Sequence, residues 1–152
     1  MKHQILKSRD YRVLSNFRYE IRRFLNFSEQ AARHVGIEPH QHQALLAIRG
    51  LRSSQKPSIG VLAERLQIEH HSAVELVNRL ERKHLIRRSR NATDRREVLL
   101  QLTARGERIL RSLTRVHRAE LRTAGPKLLR ALKAAIAESR HSKEGKDEQW
   151  NQ

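Results

Sequence analysis

The chain has 152 residues, enough for one domain with a sizeable core, and its formal net charge is +16. The absence of cysteine excludes a disulfide framework, a thiolate metal site and a thiol redox switch. No apolar run approaches the ~20 residues that cross a bilayer, and the first residues lack a signal peptide's apolar stretch. We therefore expect a cytoplasmic protein.

The basic residues are mostly arginine, with 24 Arg against 8 Lys. Arginine presents a flat fork of donors that suits phosphate groups and guanine edges, so the excess favours a nucleic-acid partner. The alternative is a solvated surface with a general bias toward arginine. Aromatic residues make up only 4% of the chain, fewer than a platform that stacks single-stranded bases usually has.

The first half of the chain predicts four helices. Apolar residues at helical spacing indicate a long helix over residues 10–36, which contains all five Phe and Tyr residues. Gly36 suits its end and Pro39 suits the start of a second helix over 39–51. Ser58 is placed to cap a third helix over 59–66. A short turn then leads to a fourth helix over 70–83, with an apolar face formed by Ala73, Leu76, Val77 and Leu80.

The second half begins with a predicted hairpin. Two β-favouring runs, 86–89 and 97–102, flank a polar, basic loop over residues 90–96. Thr103 is placed to cap a fifth helix, and Gly125 with Pro126 predicts a break before a sixth helix that ends near residue 138. Residues 139–152 are polar and charged, and we expect a disordered tail there.

These elements predict a mainly α protein with a small β-hairpin wing. Two short helices, a tight turn and a basic hairpin form a winged helix-turn-helix lobe over residues 39–102. The fourth helix would enter the major groove of duplex DNA. Its outward face carries the donors, acceptors and small apolar group that read base edges, at His70, His71, Ser72, Val74, Glu75, Asn78 and Arg79.

Two kinds of contact are expected on this helix. Glu75 repels phosphate but is able to accept a hydrogen bond from cytosine N4. His70 and His71 begin the helix near phosphate, where their protonation would favour binding at low pH. The alternative for each residue is a solvated polar helix face.

The hairpin adds a dense positive charge. Between Arg79 and Arg96 eight basic residues stand against two acidic ones, beside the predicted reading helix. A loop tipped with arginine suits the narrow minor groove, and an adjacent carboxylate would orient an arginine fork. The candidates here are Arg88, Asp94, Arg95 and Arg96. An ordinary solvated hairpin tip is the alternative.

Several runs in this region resemble the MarR family of bacterial transcription regulators. They are LAERL at 62–66, VNRLERK at 77–83, LIRR at 85–88 and DRR at 94–96, then LQLT at 100–103 with Gly106. The acidic-basic wing that leads into Leu-x-Leu-Thr-x-x-Gly is the most specific of them. With the order of the elements, the resemblance covers roughly residues 10–138.

The resemblance implies a homodimer formed by a helical region, residues 10–36 and 103–138, whose two winged lobes bind a pseudo-palindromic operator. Arg96 matches the family's minor-groove arginine and Asp94 its partner. The resemblance also implies a repressor that a small aromatic acid releases from DNA. Candidates for the lining of such an effector site are Tyr11, Phe17, Phe24, His40, His42 and Arg49. The alternative for each of them, and the one we favour from sequence, is an ordinary core or surface role.

The sequence departs from the family at two positions. His84 follows the fourth helix, where the family usually has glycine, and a left-handed backbone there would cost on the order of 1 kcal/mol. Gly60 stands early in the third helix, where the family prefers a polar side chain. This puts a phosphate contact at that position in doubt.

Other functions are less well supported. Nine histidines suggest a metal-responsive regulator, but the pairs His40 with His42 and His70 with His71 lack the spacing that presents two imidazoles together. We therefore expect no metal or cofactor. The chain has no glycine-rich phosphate loop or nucleophile motif, so we do not expect an enzyme. A nonspecific or architectural nucleic-acid-binding protein remains the main alternative, because so basic a chain binds polyanions in general.

Overall fold

The computed structural model describes residues 6–90 and 98–144. Five helices and one hairpin follow in the order α1 Ser8–His34, α2 Pro39–Arg49, α3 Ile59–Leu66, α4 His70–Arg82, β1 Ile86–Arg90, β2 Val98–Leu102 and α5 Ala104–Glu144. The predicted fold class, mainly α with a two-stranded wing, is confirmed. The chain divides into two compact units. Ser28–Val116 contains the helix-turn-helix and the wing, and the rest of α1 and α5 forms the other unit.

The core of Ser28–Val116 is built by the short helices and the hairpin together. On α4, Ala73, Leu76, Val77 and Leu80 are all buried, as their spacing of three and four residues predicts. They pack in one cluster with side chains of α2, α3, both strands and the start of α5, including Leu45, Leu62, Ile86, Leu100 and Leu113. This cluster holds the outward face of α4 in place.

Local sequence signals set the ends of the helices. Gly36 lies after α1 with φ +79°, a left-handed conformation that suits glycine. The Ser58 side chain accepts a hydrogen bond from the Val61 amide at 3.3 Å, which caps α3 as expected. Gln67 ends α3 in the left-handed region at φ 53° and makes the turn into α4.

The wing is an antiparallel hairpin in which Arg88 lies opposite Leu100 and Arg90 opposite Val98. The Leu100 amide also donates to the Pro57 carbonyl at 2.7 Å, which ties β2 to the segment before α3. Two antiparallel strands alone are marginally stable, so this extra bond and the buried Leu100 side chain anchor the base of the wing.

The Thr-x-x-Gly part of the motif joins the wing to α5. Thr103 Oγ1 donates to the His84 carbonyl at 2.7 Å and accepts from the Gly106 amide at 3.1 Å, so it caps α5. A Cβ atom at Gly106 would lie 2.1 Å from the Leu85 carbonyl oxygen. Only glycine therefore allows α5 to begin this close to the end of the helix-turn-helix.

The expected break at Gly125 and Pro126 is wrong. One helix, α5, runs through both residues and continues to Glu144, so there is no separate sixth helix, and residues 139–144 of the expected tail are helical. The helix continues because its buried residues keep helical spacing before and after Pro126. The residues on its inward face are buried or half-buried and follow each other mostly at three or four residues: Leu113, His117, Ala124, Leu128, Ala131 and Ala135.

None of the helices in residues 6–90 and 98–144 is long and apolar enough to span a membrane.

Candidate nucleic-acid interface

The outward face of α4 presents the predicted reading residues to solvent. His70, His71, Glu75, Asn78 and Arg79 are exposed, while Ser72 and Val74 are half-buried at the edges of the helix. Because the opposite face is fully packed, these side chains are carried on a rigid support. A helix exposed in this way has the dimensions to enter the major groove of duplex DNA.

Glu75 and Arg79 form an ion pair one turn apart on this face. Arg79 Nη2 lies 3.6 Å from Glu75 Oε2, and the two side chains are 56% and 69% exposed. A pair this open contributes roughly 0–1 kcal/mol, so either partner is able to exchange it for a base edge or a phosphate. The Glu75 carboxylate, which would repel phosphate, thus has an arginine beside it.

Arg88 of β1 links the wing to α4. Its Nη2 donates to Asn78 Oδ1 at 2.6 Å, and its Nη1 donates to the Glu81 carboxylate. Because the Asn78 oxygen accepts from Arg88, the Asn78 NH₂ group remains as the donor for a base. Arg88 is predicted as a DNA contact, and that assignment stays a prediction. In the structure Arg88, with Glu81, also fixes the strand against α4.

Two other basic residues of the predicted cluster also bind within the protein. Lys83 Nζ donates to Gln41 Oε1 at 3.2 Å and to the Gly36 carbonyl at 3.4 Å, so it holds the end of α4 against the start of α2. Arg87 Nε donates to Gln101 Oε1 across the hairpin at 3.1 Å. Both residues keep their charge, because their acceptors are neutral, but their side chains are held by the protein. Within the described part of the chain, Arg79, Arg82 and Arg90 are exposed and are not held in this way.

The tip of the wing carries three predicted contacts, Asp94, Arg95 and Arg96, which lie outside the described residues. The described residues on either side, Arg90 and Val98, pair with each other in the hairpin. The assignment of Asp94, Arg95 and Arg96 to the minor groove stays a prediction.

His84 adopts the conformation that the family's glycine would favour. Its φ is 55°, in the left-handed region, between the end of α4 and β1. The helix and the wing are thus joined by a turn of the expected geometry, with a side chain where glycine would be unstrained.

The residues predicted to line an effector site are spread over different features. His40 lines a cleft of about 550 Å³ between the end of α1, the start of α2 and α4, together with Arg33, Ser72, Glu75 and Arg79. His42 is buried, and Arg49 pairs with Glu107 at 3.1 Å beside a different cleft. Tyr11 and Phe17 lie in the other compact unit, where Phe24 packs edge-on against His117 at 6.2 Å.

The described part of the chain contains no cluster of three or more His, Asp or Glu side chains able to hold a metal ion. His117 of α5 packs against the rings of Phe24 and Phe27, with a centroid distance of 5.7 Å to Phe27.

The fold and the presented helix define a winged helix-turn-helix protein. The sequence model of the MarR family matches residues 35–97, which include all of the helix-turn-helix and the first strand of the wing. This match confirms the resemblance to the MarR family in the winged lobe. No curated protein matches the chain by sequence.

Solved structures extend the likeness to the whole fold. AbsC, a MarR family transcriptional regulator from Streptomyces coelicolor, is 18% identical with a TM-score of 0.71, over 95% of this chain and 100% of its own. A mutant of MepR from Staphylococcus aureus, bound to an oligodeoxyribonucleotide, is 22% identical with a TM-score of 0.61, over 83% and 94%. CouR from Rhodococcus jostii RHA1, bound to p-coumaroyl-CoA, is 20% identical with a TM-score of 0.57, over 64% and 67%.

Proposed function

We propose that this protein is a sequence-specific, DNA-binding transcription regulator and acts in the cytoplasm. One observation carries the proposal. The polar face of α4 is exposed over its whole length, while its apolar face is buried and its Asn78 is held by the wing through Arg88. α4 would read base edges in the major groove, and the wing would contact the minor groove. The oligonucleotide bound by the MepR mutant, which shares this fold, supports the proposal.

The regulator would bind a pseudo-palindromic operator as a homodimer. Leu129, Leu132 and Ile136 follow each other on α5 at spacings of three and four residues, and they are 51%, 38% and 44% exposed. A row of large apolar side chains this exposed is costly in water, and a second copy of the chain would cover it. Two lobes related by two-fold symmetry would then match a two-fold symmetric site.

Binding of DNA is tested by fluorescence anisotropy. Duplexes from the intergenic region beside the coding gene are compared with scrambled duplexes of equal length over a salt series. We expect a preference of about a thousandfold or more at physiological salt. Equal affinity for both, with a steep salt dependence alone, would favour the nonspecific, architectural function instead. Loss of binding on chelation of metal would favour a metal-responsive regulator.

The reading residues are tested on the same duplexes. Glu75→Gln should change the preferred bases, and Glu64→Gln, at an exposed residue of α3, is the control for the loss of one negative charge. A uniform gain on all DNA in both variants would show that Glu75 acts only as a repulsive charge.

The wing is tested by Arg96→Ala. This substitution should weaken operator binding with the fold and dimer intact, and unchanged affinity would refute the wing assignment.

We further propose that the regulator is a repressor that an anionic small molecule releases from its operator. The cleft of about 550 Å³ has a size typical of ligand sites. Its wall combines the guanidinium groups of Arg33 and Arg79 with the carboxylates of Glu29, Glu38 and Glu75. An acid bound to Arg79 would compete with phosphate for its guanidinium, so ligand and DNA would exclude each other. The bound p-coumaroyl-CoA of CouR shows that a protein of this fold takes a bulky anion.

The effector is sought among aromatic carboxylates and their CoA esters, by their ability to release the operator. Arg33→Gln, on the cleft wall away from α4, should weaken that release and leave operator affinity without ligand unchanged. Arg52→Gln, beside the other cleft, is the control. If both variants respond to the ligand like the unaltered protein, the effector does not bind in this cleft.

A further inference from the structure

A second basic surface lies on the first three turns of α5. Arg105, Arg108, Arg111 and Arg115 are all exposed and follow each other at three or four residues. At 3.6 residues per turn they share an arc of about 120° and extend over about 15 Å. We call this set the arginine stripe. It belongs to the same compact unit as α4 and the wing, but to neither of them.

The fold does not account for the arginine stripe. Among residues 6–90 and 98–144, none of its four guanidinium groups takes part in an ion pair or a side-chain hydrogen bond. Residues 104–119 contain five arginines and one acidic residue, Glu107. Glu107 already pairs with Arg49 at 3.1 Å. Like charges three and four residues apart destabilise a helix, so this surface gains from an anionic partner.

The chemistry of the stripe favours the backbone of duplex nucleic acid. Guanidinium forks bind phosphate oxygens in pairs, and duplex DNA offers one negative charge per about 1.7 Å of its axis. The other exposed residues of 104–116 are Ala104, Ser112, Thr114 and Val116. They offer no aromatic ring on which single-stranded bases would stack, and one valine is a much smaller apolar group than a helix needs to bind a lipid surface.

We propose that the arginine stripe binds the phosphate backbone of duplex DNA outside the segment read by α4 and the wing. The inference rests on the proposed function, because it assumes that DNA is the partner of this lobe. Contacts to phosphate carry no sequence information. The stripe therefore adds affinity for every sequence and extends the length of DNA that the protein covers, while the reading helix supplies the choice of site.

The test is the salt dependence of binding to a duplex that extends well beyond the operator on both sides, and to a scrambled duplex of the same length. The variant combines Arg108→Gln, Arg111→Gln and Arg115→Gln. Its control combines Arg12→Gln, Arg18→Gln and Arg22→Gln, three exposed arginines of α1 that take part in no ion pair among the described residues. Both variants lose the same charge. A melting temperature no lower than that of the unaltered protein confirms that each variant is folded.

The proposed homodimer carries two stripes, so the variant removes six arginines from each DNA-bound dimer. We expect the slope of log affinity against log salt to fall by about 4 to 5, since each phosphate contact contributes about 0.9. The control should change the slope by less than about 1. The ratio of operator to scrambled affinity should stay constant, whereas failure of the proposed function would appear as a ratio near one in the unaltered protein. Equal slopes in the two variants would overturn the proposal.

Discussion

The arginine residues of this chain differ in whether their guanidinium groups are bound within the protein or exposed. Arg88 is half-buried and holds Asn78 and Glu81, while Arg79, nine residues earlier, is exposed beside Glu75. The first fixes α4 against the wing, and the second is exposed where contact with DNA is proposed. A charge count along the sequence treats the two alike, because it contains no information about which guanidinium is already satisfied by the protein.

His84→Gly should stabilise the protein by about 1 kcal/mol, because its φ of 55° is a conformation that costs residues other than glycine about that much. Urea unfolding at fixed protein concentration measures the change. Arg82→Gly, in the helical residue two positions earlier, is the control and should destabilise by about 1 kcal/mol. A loss of stability in His84→Gly would mean that the imidazole contributes more than the strain costs.

Gly106→Ala should destabilise the protein by roughly 2–3 kcal/mol, because the new Cβ would lie 2.1 Å from the Leu85 carbonyl and backbone must move to relieve the overlap. Gly125→Ala is the matched control on the same helix, where a Cβ meets nothing within 4 Å. It should stabilise by about 0.5–1 kcal/mol through helix propensity. Similar effects of the two substitutions would contradict the close contact between α5 and Leu85.

At the level of elements, α5 is where sequence and structure differ most. Gly125 and Pro126 are the residues that most often end a helix, yet α5 continues through them. Its inward face keeps helical phase on both sides, so packing along the whole length offsets the local cost. The sequence alone does not show whether the helix-breaking residues or the helical spacing of the apolar residues prevails, because the strength of packing depends on which residues meet in space.

Pro126→Ala should stabilise the protein by about 1–3 kcal/mol if α5 is continuous, because proline inside a helix removes a hydrogen bond and clashes with the preceding turn. Thermal unfolding of the two proteins at equal concentration measures this. Pro39→Ala is the control, since Pro39 begins α2, where the missing amide costs little. No gain from Pro126→Ala would indicate that a new helix begins at this residue.

For the molecule as a whole, the exposed row Leu129, Leu132 and Ile136 is the feature that a single chain leaves unexplained. The combined substitution Leu129→Gln with Leu132→Gln should raise the dimer dissociation constant at least about a hundredfold, because each buried leucine contributes roughly 1.5–3 kcal/mol. Size-exclusion chromatography with light scattering over a dilution series would show monomers.

The control for this experiment is Leu46→Gln, at a leucine of α2 that is 45% exposed and lies in the other compact unit. It removes an exposed apolar side chain of the same size and should leave the dimer intact. If the double variant also remains dimeric at the same concentrations, the row on α5 does not form the interface.

The short elements of the winged lobe were predictable because their signals are local. Ser58, the buried stripe of α4 and the two strands of the hairpin agree with the expected boundaries to within about two residues. The outward face of α4 was predictable for the same reason, since burying one side of a helix exposes the other. The positioning roles of Arg88 and Lys83 were not, because their partners are set by how strands and helices pack.

The class of fold, the helix that presents polar side chains and the basic character of the surface all follow from the sequence, because helical period, capping residues and charge are local properties of the chain. The remaining features depend on packing. α5 continues through Pro126, Gly106 is required by contact with Leu85, and some arginines are bound within the protein, whereas those of the stripe have no ion-pair partner among the described residues. Each of these depends on atoms that are distant along the chain and brought together by packing.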